Sequence, residues 1–337
     1  MKKSIIVISI LLIISLLLTS CNSSKSTASN QGDKNKDIVV KIGVSSWVGF
    51  APLYVASEKG IFKKDGVNVK LETIQSATDR RTAMAANKIQ GFVTTVDTHV
   101  MTAAAGIPVE QVLALDTSFG GDGVVAKKSI KTFADLKGKS VAIDMSGGAS
   151  YFWFLYLLDK NGMKLKDVKA INMSAGDAGS AFVSGKVDAA VTWQPWLTKA
   201  EQTDFGHVLI SSKETPGLIV DSLGFRKDFI KNHPDLVQNI VNGWFDALDF
   251  IKNHPKEGNQ IMAKAMNQSV KDFENTLPDV EFYDKKKNEE YFGTKENPGL
   301  IRKVTSKAID FWYKEKLINN RPETEALIND SFVNSKK

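Results

Sequence analysis

The chain changes texture three times. Residues 4–18, SIIVISILLIISLLL, are apolar and broken only by serine. Residues 22–37, NSSKSTASNQGDKNKD, hold one apolar side chain, Ala28, too few to bury anything. From Ile38 onward, short β-branched runs alternate with amphipathic stretches. IVVKIGVSS (38–46) predicts a buried strand. APLYVASEKGIFKKDG (51–66) puts Leu53, Val55, Ala56, Ile61 and Phe62 on one helical face, with Gly60 ending or breaking the helix. VNVKLETI (67–74) predicts a strand, and ATDRRTAMAANKIQ (77–90) a helix capped by Thr78 or Asp79. GFVTTVD (91–97), THVMTAAAG (98–106) and VEQVLALDTS (109–118) read strand, helix, strand.

A second set follows. TFADLKGKSVAID (132–144) predicts a short helix and a strand, and SYFWFLYLLDKNG (150–162) a helix whose aromatic residues form its buried side. VKAINMS (168–174), AGSAFVSGK (178–186), VDAAVTW (187–193), PWLTKAEQT (195–203) and HVLISS (207–212) continue the alternation, strand first. Such alternation predicts an α/β fold with mostly parallel sheets flanked by helices. GGDG (120–123) and ETPG (214–217) flank this block as strands or hinges that enter and leave a second lobe. The last hundred residues are largely helical, with Trp244, Leu248 and Ile251 at helical spacing.

The N-terminal run changes the picture of where the chain works. A positive start at Lys2 and Lys3, a short apolar run and a small-residue exit predict a secretory signal, not a spanning helix. LTSC (18–21) resembles the lipobox of bacterial lipoproteins, which implies cleavage before Cys21 and lipidation of it; the alternative is an ordinary signal with a coincidental cysteine. An acylated terminus plus the polar tether would hold a globular body at the extracytoplasmic face of a membrane. Cys21 is the only cysteine, so the folded part has no disulfide, thiolate cluster or thiol nucleophile. The net charge of +6 becomes +4 once Lys2 and Lys3 leave (6 − 2). No basic stripe interleaves with aromatics, which argues against nucleic acid as a partner. The four histidines form no metal-ligand spacing; two precede proline in repeated KNHP phrases that read as helix punctuation.

Four phrases, APLYVASEKGIFKKDGVNVKLE, TFADLKGKSVAIDMSGGAS, AFVSGKVDAAVTWQPWLTKA and PGLIVDSLGFRKDFIKNHPDLV, stand in an order that resembles the substrate-binding proteins of ABC importers, in the group that handles nitrate, taurine and aliphatic sulfonates. The resemblance covers about residues 38 to 320. It implies a type II periplasmic-binding-protein fold, with two α/β lobes joined by two crossover segments that close on a small-molecule ligand. It further implies a monomer that delivers its ligand to a permease and its ATPase, with no cofactor and no catalysis. The domains are then 1–20 signal peptide, 21–37 lipidated cysteine and tether, 38–122 with 220–337 the first lobe, and 123–219 the second. In many relatives VTW continues Glu-Pro-Trp; here Gln194 stands in place of the glutamate, which either shifts the ligand's charge preference or is an adjustment behind the site.

In open α/β sheets, ligands sit beyond the carboxyl ends of strands. That rule picks Ser46 and Trp47 after the first strand, Trp47 either stacking on a ligand or packing between helix and sheet. Asp97 either caps a helix starting at Thr98 or offers a carboxylate to an amine. Asp122 is either a turn aspartate before glycine or, with Asp97, a negative wall in the cleft. Asp116 falls at or near a strand end. Ser146, Gly147, Gly148 and Ser150 lie between a strand and a helix. There, free amides and the helix dipole favour an anion, unless Ser146 or Ser150 simply caps the helix. Thr192, Trp193 and Gln194 follow a strand of the second lobe. Asp221, at the return crossover, meets the ligand or holds lobe to lobe. These pieces describe a small zwitterion such as taurine, or a plain alkanesulfonate. The alternative is a heteroaromatic precursor of the thiamine-pyrimidine kind, or another amine, stacked on Trp47, Phe119 or Trp193. An enzyme is disfavoured: MSGGAS is not a nucleophile elbow, and the cysteine-rich motif of a thiamine-pyrimidine-making relative is missing.

Overall fold

The computed structural model describes residues 38–335. The expected signal segment, Cys21 and the tether lie outside the described residues. In chain order the strands are β1 (Val39–Val44), β2 (Asn68–Thr73), β3 (Gly91–Thr95), β4 (Val109–Ser118), β5 (Asp122–Lys127), β6 (Ser140–Ile143), β7 (Lys169–Asn172), β8 (Ala189–Trp193), β9 (Gly206–Ser211), β10 (Val220–Arg226) and β11 (Val280–Phe282). They build two sheets, in the orders β11-β4-β10-β3-β1-β2 and β7-β6-β8-β5-β9. Place for place, β2, β1, β3, β10 and β4 of the first correspond to β7, β6, β8, β5 and β9 of the second. Only β11, which the sequence pattern did not reveal, has no counterpart.

Within each sheet, β1 runs parallel to β2 and β3, and β6 parallel to β7 and β8. β10 runs antiparallel to β3 and β4, β11 antiparallel to β4, and β5 antiparallel to β8 and β9. The strands thus mostly share one direction, as the alternation predicts. The reversals at β5 and β10 fall where the chain arrives from the other sheet. The two crossings are tied together: the Ser118 and Ser212 hydroxyls are 2.9 Å apart, and the Gly120 amide donates to Ser212 Oγ at 2.7 Å. This is the two-lobed α/β architecture with two crossovers that the sequence implies.

Helix ends follow local chemistry. Gly60, at φ 68°, separates the helices Ala51–Glu58 and Ile61–Lys64. The helix Ala77–Ala85 is capped by Ser76, whose Oγ accepts from the Asp79 amide at 3.2 Å. This corrects the expectation of Thr78 or Asp79: both already lie inside the helix, and Ser76 has the extended backbone a cap requires. Pro234 and Pro255 of the KNHP phrases open the helices Pro234–Asn253 and Pro255–Ala265.

The helix Ala149–Lys160 buries Tyr151, Phe152, Trp153 and Phe154. Part of that face meets the late helix Leu300–Lys314. Phe152 lies 5.9 Å from Phe311 and 6.0 Å from Trp312, and Tyr151 lies 5.9 Å from Trp312. These rings therefore join the second sheet's layer to the chain's C-terminal part. Among the described residues no helix is long and apolar enough to cross a membrane.

Candidate functional site

The reversed strands decide what faces the gap between the sheets. β1, β3, β6 and β8 end at that edge. Because β10 and β5 run the other way, their first residues lie at the same edge. Asp221 pairs with Thr95, the last residue of β3, and Asp122 with Trp193, the last residue of β8. One carboxylate from each sheet is thereby delivered to one place.

There a cavity of about 340 Å³ is lined by Ser45, Ser46, Trp47, Arg80, Asp122, Trp193 and Asp221, among others. A second, of about 350 Å³, shares Gln75, Ala77, Thr98, Gly148, Ala149 and Trp193 with it and continues to Arg81, Asp144, Ser146, Gly147 and Ser150. The two form one cleft. Of the twelve residues expected at the ligand, nine line it: Ser46, Trp47, Asp122, Ser146, Gly147, Gly148, Ser150, Trp193 and Asp221.

Three do not line it. Asp97 is buried on the helix Val96–Ala104, which begins two residues before Thr98 and takes Thr95 as its cap. The Asp97 side chain turns inward and accepts from Thr98 Oγ1 at 3.4 Å. Thr192 is buried on the opposite side of β8 from Trp193, donating to the Ala175 carbonyl at 2.6 Å. Gln194 accepts from the Thr198 amide and hydroxyl, and its Nε2 donates to Asp279 Oδ2 at 3.2 Å. The amide at 194 thus joins the second sheet's wall to the segment before β11. A glutamate there would set two carboxylates face to face. Phe119 lies under Lys213, 5.9 Å from its ammonium, and lines neither cavity.

The first wall is charged and wired in place. Trp47 Nε1 donates to Asp116 Oδ1 at 2.9 Å. Asp116 Oδ2 is buried without a donor and fills the space a side chain at Gly49 would take, 2.1 Å from where its Cβ would stand. Asp116 and Asp221 are cross-strand partners, directly opposite each other. Burial pushes Asp116 up to about 7, the Trp47 bond opposing and the Asp122 charge adding to the shift. Asp221 rises well above the carboxylate range, first through burial and then through Asp116 and Asp122. Two buried carboxyls set opposite each other disfavour being ionised together. Burial likewise lifts Asp122 and Asp97 each to about 6. Arg80, held down to about 10 by burial and raised by Asp221, gives Nη1 to the carbonyls of Ile74 and Gln75 while its buried Nε has no partner.

The second wall is backbone. The helix Ala149–Lys160 has Gly148 at its cap with no side-chain hydrogen bond, and Gly147 and Gly148 have φ of 105° and 98°. Neither Ser146 nor Ser150 caps it: Ser146 amide and hydroxyl both donate to Asp144 Oδ1, at 3.0 and 2.6 Å. The first intrahelical bond is Phe152 N to Gly148 O, so the amides of Ala149, Ser150 and Tyr151 have no intrahelical acceptor.

Sequence reasoning passed over Arg80, Arg81 and Gln75. The strand-end rule would have found them, since they follow β2, but the segment read only as an amphipathic helix.

Similarity to known proteins fits this frame. A Bacillus subtilis (strain 168) protein named for binding aliphatic sulfonates is 26% identical over 342 residues, 99% of this chain and 96% of that protein. The taurine-binding periplasmic protein of Escherichia coli (strain K12) is 25% identical over 212 residues, 62% and 65% of the two chains. The crystal structure of the periplasmic aliphatic sulphonate-binding protein SsuA from Escherichia coli superposes with a TM-score of 0.71 at 17% identity, covering 88% of this chain and 98% of that one. The family described as NMT1/THI5 like matches residues 47–258, more than half of the sequence, and the chain belongs to that family.

Proposed function

We propose that the chain is the extracytoplasmic solute receptor of an ABC importer, held to the membrane through a lipid on Cys21 and working as a monomer. It captures a small organic anion or zwitterion of the taurine or alkanesulfonate kind in the interlobe cleft and hands it to a permease driven by its ATPase. The role is binding, not catalysis. The observation that carries this reading is the cleft itself. Free helix amides and Arg81 stand along one stretch, Asp122, Asp221 and Trp47 along the other, and Trp193 reaches both. An acid group fits the amides of Ala149 to Tyr151 and the Arg81 guanidinium. The segments 38–122 with 220–337 and 123–219 act as the two lobes, turning about the crossings tied by Ser118 and Ser212.

A second reading keeps the same cleft for a heteroaromatic amine, since the indole of Trp193 is 39% exposed and free to stack. A thermal-shift titration separates the two. Stabilisation grows with ligand concentration over the dissociation constant, by about 2.7 kcal/mol at a hundredfold excess. Taurine and short alkanesulfonates are expected to raise the melting temperature; a shift with aminopyrimidines alone would replace the first reading by the second. Palmitate labelling lost in Cys21→Ala checks the anchor.

A further inference from the structure

We propose that the solute carries a cationic nitrogen, an ammonium or protonated amine, held between Asp122 and Asp221. The proposal rests on the cleft being the solute site and narrows what it accepts.

The two carboxylates come one from each sheet, at the starts of the reversed strands, and are 6% and 7% exposed. Both line the same cavity. The ionisable groups that bear on Asp221 are Asp97, Asp116, Asp122 and Arg80, four acids in all against one base. His99, behind β10, adds no charge: burial holds it down to about 4 while Nε2 meets the Ser222 carbonyl. Even with one of the four protonated, acids outnumber the arginine. Asp116 Oδ2, fully buried, has no hydrogen-bond partner. The cluster therefore lacks a cation. Among the described residues no three ligating side chains are arranged around a metal. An organic ammonium, able to donate to one carboxylate of each sheet at once, matches the geometry.

Its arrival has two effects. It replaces protons, which leave to the buffer. It also removes the repulsion between Asp122 and Asp221 that opposes approach of the two walls. The cation then acts as the bridge across the cleft, and a solute without one leaves the carboxylates unbridged.

Calorimetry at neutral pH with three probes tests this: taurine, isethionate (the same sulfonate with a hydroxyl in place of the ammonium) and an aminomethylpyrimidine, which is protonated on its side-chain amine and lacks any acid. Taurine is expected to bind at least about tenfold more tightly than isethionate, with proton release seen as a buffer-dependent heat. Asp122→Asn and Asp221→Asn are expected to bring taurine down to the isethionate level. Isethionate binding as tightly as taurine overturns the ammonium site and leaves a sulfonate receptor standing. Binding of the aminomethylpyrimidine and of neither sulfonate supports the ammonium site and removes the sulfonate. If none of the three binds, the ammonium site falls with the receptor reading. The comparison in unmodified protein decides even if the variants do not fold.

Discussion

The loops after β1 and β6 hold matching places in their sheets, yet they turn into the next helix in opposite ways. After β1 the turn is filled by side chains. Trp47 is hydrogen-bonded to Asp116, and the Asp116 carboxyl lies flat against Gly49 in the short turn Val48–Phe50. After β6 the turn is nearly bare, with two glycines in the left-hand half of φ space and helix amides left open. One wall presents buried charge fixed by packing; the other presents backbone, accessible because side chains are missing. A cleft that must be specific and still close gains from this division. In the receptor proposed above, the charged wall would set what is recognised, and the backbone wall would approach without clashing.

The largest way to break the contrast is at the two glycines. A Cβ at Gly49 would stand 2.1 Å from Asp116 Oδ2, which is tethered from behind. Gly49→Ala is expected to destabilise the protein by about 3 kcal/mol, the upper end of overpacking costs. At Gly148 a Cβ meets nothing closer than Thr98 Oγ1 at 4.0 Å. The cost of Gly148→Ala is instead backbone strain at φ 98°, about 1–3 kcal/mol. Chemical denaturation of both variants measures the difference. Addition of Asp116→Ala is expected to rescue the first and leave the second unchanged; equal rescue of both would erase the contrast.

The second effect is with pH. Asp97, Asp116 and Asp122 are held at about 6, 7 and 6 in the folded protein, and burial raises Asp221 well above its ordinary value too. The unfolded chain releases these protons near pH 4. Folded protein therefore binds more protons between about pH 4 and 7, and stability falls as pH rises through that window. His99 acts in the opposite sense: held at about 4 against an ordinary 6.5, it takes stability away as pH falls between those values. Several acids outweigh one histidine, so ligand-free protein is expected to melt at a higher temperature at pH 5 than at pH 7.5. A flat or inverted profile would mean that the first wall is not charged as described.

How much of this the sequence carries depends on distance along the chain. Alternation and glycine punctuation are local, so eight of the eleven strands and the breaks at 120–123 and 214–217 were legible, and with them Asp122 and Asp221 as crossover residues, whereas β5 and β10 were read only as strands or hinges and β11 not at all. Asp97 was misplaced because the strand ends two residues earlier than its apolar run, at Thr95, which rotates the aspartate from the cap into the helix. Thr192 and Trp193 are separable by alternation alone: adjacent strand residues face opposite sides, so they cannot both line the cleft. Gln194 was not readable, since its partner Asp279 lies 85 residues away. The same holds for the Asp116–Gly49 contact, where a turn and a strand 67 residues apart in sequence (116 − 49) meet only through the sheet.

The smallest effects separate the two tryptophans, one from each wall. Trp47→Phe keeps the ring and removes the donor to Asp116 Oδ1, leaving that buried carboxyl without a donor on either oxygen. The expected loss is about 1–3 kcal/mol of stability, the cost of an orphaned buried acceptor, together with a further rise in the Asp116 pKa, because the bond that opposes burial is gone. Trp193, 39% exposed at the end of β8, has no such duty. Trp193→Phe is expected to change stability by less than about 0.5 kcal/mol. Its effect is expected in solute affinity instead, since it narrows the aromatic face that both halves of the cleft share. Urea unfolding of the two variants, beside calorimetric titration with taurine, gives both readouts. If Trp193→Phe costs as much stability as Trp47→Phe, the second wall is packed like the first, and the division between a fixed charged face and an open backbone face does not hold.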